Sequence, residues 1–231
     1  MLNFELYNPV RIIFGPGEAE NIGKYTKEYG TKAMLVTYDV HDFFNELLAK
    51  LDKSFKDAGV TVTEFFKVKP NPRLSDIEEA IDICRKEGIE VIVALGGGSV
   101  MDSAKAIGAG VKYDGDPWKM FVSRHDKAVA VPPTDTLPTI MIPTKSATSS
   151  ETNNVAVATN DRTHEKAYIW APVLYPKICV MDPCVTATLP KFPMAAGAVD
   201  AMSHVLEAYL NGDQNSPVQD RCHEGLLMAV M

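Results

Sequence analysis

Short apolar runs alternate along this chain with longer segments in which apolar residues recur every three or four positions, the pattern of buried strands joined by amphipathic helices. Residues 11–14 (Arg-Ile-Ile-Phe) precede a Gly-Pro-Gly turn, and residues 18–28 are helical in composition. Ala33, Met34, Leu35 and Val36 form the heart of a second strand that ends at Tyr38 and Asp39. A helix beginning at Asp42 or Asn45 carries Leu47, Leu48, Leu51, Phe55 and Ala58 at helical spacing and stops at Gly59. Residues 60–66 alternate as a strand, and Lys69-Pro70-Asn71-Pro72 breaks the chain into an extended loop. The next helix is expected to open on a capping box of Ser75 and Glu78, to bury Ile77, Ala80, Ile81 and Cys84, and to close at Gly88.

Residues 91–95 are five apolar residues in a row, three of them β-branched, as in a parallel strand covered on both faces. Gly96, Gly97 and Gly98 follow, and glycine permits both positive φ and close approach of a ligand. Ser99 is expected to open a helix, with Asp102 three residues on, where a polar side chain can close a cap at the first turn. A strand, a glycine turn and a helix start gather unpaired N–H groups and the positive end of a helix dipole at one point. That point suits an anion, above all a diphosphate. The other reading is a tight connection without a ligand, and the stretch is not the GxGxxG fingerprint.

From residue 110 to 138 the pattern loosens into a surface excursion, and residues 139–142 resume the sheet. Residues 143–154 are rich in hydroxyls, which fits either a flexible loop or a belt of donors around phosphate and ribose. Residues 155–158 and 178–181 are further short strands, and Asp182-Pro183 ends the alternation. Strands alternating with helices imply parallel βαβ units in a three-layer α/β sandwich, with ligands at the carboxyl ends of the strands. Asp39, Asn71 and residues 96–99 each follow a strand and so face one crevice. Asp39 reads either as a turn cap or as an acceptor for ribose hydroxyls that repels a 2′-phosphate, which would favour NAD over NADP. Residues 32–39 offer no basic cluster for such a phosphate.

Residues 195–210 are apolar on nearly every side, which predicts a buried helix. Asp200 and His204 lie four apart on one face of it, half of a divalent metal site or else a buried Asp–His hydrogen bond. The other histidines do not supply further ligands: His41 and His125 lie in loop-like surroundings, His164 in a charged turn, and His223 on a helix face expected to be solvated. The chain stops at Met231 in mid-helix without a capping residue, as if cut short.

With 46% apolar residues among 231, the chain can bury a sizeable core. A net charge of −7 argues against nucleic acid or anionic membrane as a partner. No apolar run approaches a bilayer span and the first residues lack the make-up of a signal peptide, so a cytoplasmic location is expected. The four cysteines show no CxxC spacing; Cys84 reads as core, and Cys179 and Cys184 straddle a strand end in a compartment that disfavours a disulfide.

Three ordered motifs, Gly96-Gly97-Gly98-Ser99-Val100-Met101-Asp102-Ser103-Ala104-Lys105, the hydroxyl belt ending in Ser150-Glu151, and Gly197-Ala198-Val199-Asp200-Ala201-Met202-Ser203-His204, resemble those of the iron-containing (group III) alcohol dehydrogenase family, most of all its butanol dehydrogenase branch. The resemblance implies a Rossmann-like dinucleotide-binding domain over residues 1–182, followed by the first helices of an all-helical metal and substrate domain over 183–231. It implies that Gly97, Gly98 and Ser99 hold the diphosphate of NAD or NADP, that Asn71, Asp102, Thr144, Thr148, Asn153 and Lys166 line the cofactor, and that Asp200 and His204 bind Fe²⁺ or Zn²⁺. The expected substrates are short alcohols and aldehydes, and a homodimer is the expected assembly. The alternatives are a catalytically silent nucleotide-binding module and a glycerol-dehydrogenase-like enzyme of the same superfamily. Two departures stand out: the belt usually carries glycine where this chain has Ala147 and Ser149, and the family's two further histidine ligands come from helices beyond residue 231.

Overall fold

The computed structural model describes residues 7–39, 44–123, 130–187, 189–211 and 217–231; His41, Asp42 and His125 lie outside them. In chain order the elements are β1 (Arg11–Phe14), a 3₁₀ turn (Glu18–Asn21) running into α1 (Ile22–Lys27), β2 (Lys32–Tyr38), α2 (Asn45–Ala58), β3 (Thr61–Val68), α3 (Leu74–Glu87), β4 (Val91–Gly96) and α4 (Gly98–Lys112). Then come β5 (Thr139–Pro143), β6 (Val155–Asn160), β7 (Glu165–Trp170), β8 (Ile178–Met181), α5 (Pro183–Thr186), α6 (Lys191–Leu210) and α7 (Pro217–Val230).

Six strands form one parallel sheet in the order β1-β8-β5-β4-β2-β3. Successive residues of a strand point to opposite faces, so each strand feeds two cores. Met34, Val36, Ile92, Ala94 and Met141 pack with Ile77, Ile81, Met101 and Ile107 of α3 and α4. Leu35, Val91, Val93, Leu95 and Ile142 pack on the other side with Ile22, Leu51 and Phe55 of α1 and α2. The expected three-layer sandwich with buried parallel strands is therefore present, and β4, at its centre, is buried along its whole length. Gly59 and Gly88 end α2 and α3 at φ 70°, a left-handed conformation that glycine takes without strain.

Three local expectations are corrected, and one strand appears where none was expected. Ser75 and Glu78 form no capping box: α3 starts at Leu74, the Ser75 N–H donates to Asp161 Oδ1 at 3.1 Å, and Glu78 pairs with Arg162. Both partners come from the turn between β6 and β7, so a distant hairpin caps α3 in place of its own side chain. That hairpin is the second difference, because residues 165–170 form a strand antiparallel to β6. The signal was there in the alternation of buried Ala167 and Ile169 with exposed Lys166, Tyr168 and Trp170.

Third, α6 is helical as expected but is not a buried helix: Gly197 is its sole buried residue, and Phe192, Val199 and Leu210 are exposed. Among the described residues it packs chiefly on α7, too little surface to cover its apolar faces. Fourth, His223 is half-buried, with its ring edge-on to Tyr209 at 6.0 Å, rather than on a solvated face. Cys84 is core as expected, while Cys179 is buried in β8 and Cys184 is exposed, both as free thiols. No helix among the described residues is long and apolar enough to cross a membrane.

Candidate functional site

The turn between β4 and α4 departs from expectation in detail. The helix opens at Gly98, not at Ser99, and none of the three glycines has positive φ. What they provide is room for neighbouring side chains. A Cβ on Gly97 would stand 2.9 Å from Tyr38 Oη, one on Gly98 would stand 2.7 Å from Thr148 Cγ2, and one on Gly96 would collide with Val100. Tyr38 Oη also accepts the Gly97 N–H at 2.9 Å. Gly98 and Ser99 are the first two residues of the helix, so their N–H groups have no partner within it. Both are half-buried and open toward the belt. An anion thus fits at the Gly98–Ser99 N–H pair, with the Thr148 hydroxyl alongside, while the Gly97 N–H is already held.

Asp102 does not cap its helix. Its Oδ1 accepts from Ser150 Oγ at 2.7 Å and its Oδ2 from the Val157 N–H at 3.0 Å. One turn on, Lys105 is fully buried, and its Nζ donates to Asn153 Oδ1 at 2.9 Å and to the Val155 carbonyl at 2.8 Å. Asp102 and Lys105 therefore clamp the end of the belt and the start of β6 onto α4. Burial pulls the Lys105 pKa down to about 8, against the pull of the Asp102 and Glu151 carboxylates. Burial likewise raises the pKa of Asp102 and of Glu151, each opposed by Lys105 among other groups. Sequence reasoning missed Lys105 and Glu151. The available signal was a lysine inside the apolar stretch Ala104-Lys105-Ala106-Ile107, where an unpaired charge does not persist.

Thr144 is buried at the head of the belt and donates its N–H to the Gly96 carbonyl at 3.0 Å. The belt bends through left-handed residues, Ala147 at φ 108° and Ser149 at φ 50°, the two positions where the resemblance leads one to expect glycine. On the other side of the turn, Lys166 of β7 reaches Asn71 after β3, Nζ to Oδ1 at 3.0 Å. Asn71 takes φ 60°, which asparagine tolerates better than most residues. Asp39 is exposed just past β2, its N–H donating to the Val68 carbonyl. Asp39, Asn71, Gly98 and Thr144 stand just past the carboxyl ends of β2, β3, β4 and β5, and Lys166 reaches toward them from β7.

Asp200 and His204 are neighbours on α6, Oδ1 to Nε2 at 3.7 Å, both substantially exposed, so the buried Asp–His hydrogen bond is set aside. Among the described residues no third His, Cys, Asp or Glu joins them. Their helix face is the one that Gly197 turns to the belt: a Cβ on Gly197 would stand 3.2 Å from Lys145 Cε and 3.3 Å from the Ser146 carbonyl oxygen, and positions 197, 200 and 204 share one side of a helix. Beside that contact a cavity of about 390 Å³ opens over the ends of β1, β5 and β8, with Phe14, Pro143, Lys145, Glu151, Met181 and Thr186 in its wall. A carboxylate and an imidazole on one face are a donor pair suited to Fe²⁺ or Zn²⁺, and the pair is incomplete as it stands.

The family model for iron-containing alcohol dehydrogenase matches residues 9–183. The chain belongs to this family. It is 41% identical to a probable NADH-dependent butanol dehydrogenase of Bacillus subtilis over 236 residues, which take in 100% of this chain and 58% of the relative. It is 30% identical to the NADPH-dependent aldehyde reductase of Escherichia coli, covering 100% of this chain and 58% of that protein. The crystal structure of NADH-dependent butanol dehydrogenase A from Thermotoga maritima matches with a TM-score of 0.89 and 38% identity over 99% of this chain and 56% of that one. This family member thus spans little more than half the length of the relatives it matches.

Proposed function

We propose that residues 1–182 of this iron-containing alcohol dehydrogenase hold NAD(P), and that residues 183–231 carry the first two ligands of a divalent metal, in an enzyme that interconverts short alcohols and aldehydes. One observation carries this reading: the strand order spreads the candidate residues in a line across one edge of the sheet. Asp39 and Asn71 lie at β2 and β3, the helix N-terminus at β4, the belt at β5, and the cavity beyond it at β5, β8 and β1. Neighbouring strands lie about 4.8 Å apart, so the line is long enough for an extended dinucleotide. Its adenosine rests over Asp39, its diphosphate meets Gly98 and Ser99, and its nicotinamide enters the cavity. Asp39 accepts from the ribose hydroxyls and disfavours a 2′-phosphate, so NAD is the preferred coenzyme. The metal, Fe²⁺ or Zn²⁺, supplies polarisation of the substrate oxygen. The chain acts as a homodimer in the cytoplasm.

A second reading, a silent module that binds nucleotide without turnover, is favoured by one observation: among the described residues no third His, Cys, Asp or Glu joins Asp200 and His204. Titration with NADH followed by its fluorescence, repeated with NADPH, tests the coenzyme site; NADH should bind in the micromolar range and about tenfold tighter than NADPH. Absence of NADH binding at about 1 mM would end the dinucleotide reading. Adding Fe²⁺ or Zn²⁺ and butyraldehyde then separates the two readings, because turnover by the 231-residue chain removes the silent module.

A further inference from the structure

Glu151 is unusual among the carboxylates of the site. It stands in the cavity wall, is half-buried, and its Oε2 is enclosed without a hydrogen-bond partner. The other carboxylate of that wall, Asp182, is fully engaged, accepting from the Ala19 and Cys184 N–H groups at 3.1 and 2.9 Å. A carboxylate left with an idle oxygen at a cavity wall is a poor structural element, because burial raises its free energy and no bond at that oxygen offsets it. Against burial, its carboxylate is favoured by a hydrogen bond from its own backbone N–H and by Lys105 of α4, and Lys145 shares the wall. The Cys179 thiol of β8 is the other titratable group that feels Glu151, and burial pushes that thiol up to about 12, leaving it uncharged. Glu151 thus presents a carboxyl group, its pKa raised by burial, at the side of the cavity.

We infer that Glu151 sets the preference of this site between the oxidised and the reduced coenzyme. The inference rests on the dinucleotide reading above, with the nicotinamide end in the cavity. The oxidised ring is a cation and the reduced ring is neutral, and the two are otherwise nearly the same shape. A carboxylate beside the ring therefore attracts one redox state and leaves the other almost untouched. In a partly buried setting such a pair is strong enough to shift relative affinity about tenfold, since the effective dielectric there lies far below that of water.

The isosteric substitution Glu151→Gln removes the charge, and no hydrogen bond at Oε2 is broken by it. The test measures dissociation constants of NAD⁺ and NADH for the 231-residue chain and for E151Q at about pH 8, by calorimetry for the first and fluorescence for the second, with thermal midpoints alongside. The expected result is a drop of about tenfold in the affinity for NAD⁺ relative to NADH, with NADH binding unchanged or slightly tighter. A structural role would weaken both forms equally and leave their ratio in place, which overturns the inference. So does a ratio that is the same in both proteins. If the unsubstituted chain binds neither form, the dinucleotide reading itself has failed; if it binds both and only the ratio is indifferent to Glu151, that reading stands and the role of Glu151 falls.

Discussion

Ala147→Gly should stabilise this protein, against the usual cost of adding glycine. Ala147 sits at φ 108°, outside the conformations open to an L residue without strain, and such positions cost about 1–3 kcal/mol. Glycine removes that strain but adds freedom to the unfolded chain, worth about 0.4–1 kcal/mol in the opposite direction. The difference leaves a net gain of about 1 kcal/mol, or roughly 2–4 °C in midpoint for a protein of this size. Ser149→Gly should gain less, because φ 50° is the left-handed region proper, where the penalty is smaller. Asn71→Gly, at φ 60° but with a residue suited to it, should gain nothing and lose the Lys166 contact. Thermal and urea unfolding of the three variants checks the order. A midpoint for Ala147→Gly below that of the parent chain would show that the belt does not bend through a left-handed residue there.

Lys105→Met should cost about 2–4 kcal/mol in urea unfolding, because Asn153 Oδ1 and the Val155 carbonyl lose their donor and two carboxylates lose their counter-ion; unchanged stability would mean that the ammonium is not buried in the clamp. The same lysine predicts a pH dependence with a definite sign. Its pKa is about 8 in the fold against the ordinary lysine value of 10.5, so between those values the unfolded chain holds a proton that the folded chain lacks, and stability rises with pH. The contribution is full above the unfolded value and lost as pH falls through 8. The stability of the parent chain minus that of Lys105→Met should therefore climb from pH 8 to 10.5, and a decline over that window would contradict the assignment.

Much of the architecture was legible in the order of residues. The apolar runs of β2, β4 and β5 and the helical spacing in α2 and α3 fix local structure through short-range patterning, and the alternation of the two fixes a parallel sheet through the geometry of its connections. The placement of Asp39, Asn71, Gly98 and Thr144 at strand ends follows from that alternation, so the crevice was foreseeable. Long-range pairing was not. Nothing near Ser75 in sequence announces that Asp161 will cap its helix, and nothing near Lys105 announces that it will hold Asn153 and Val155 some fifty residues on. The glycines at 96–98 were recognised, yet the reason for them lay in Tyr38, Val100 and Thr148, whose approach is a matter of packing. The exposure of α6 was misjudged for the same cause: an apolar sequence states that a helix needs cover, whereas the amount of cover it receives depends on which other elements reach it.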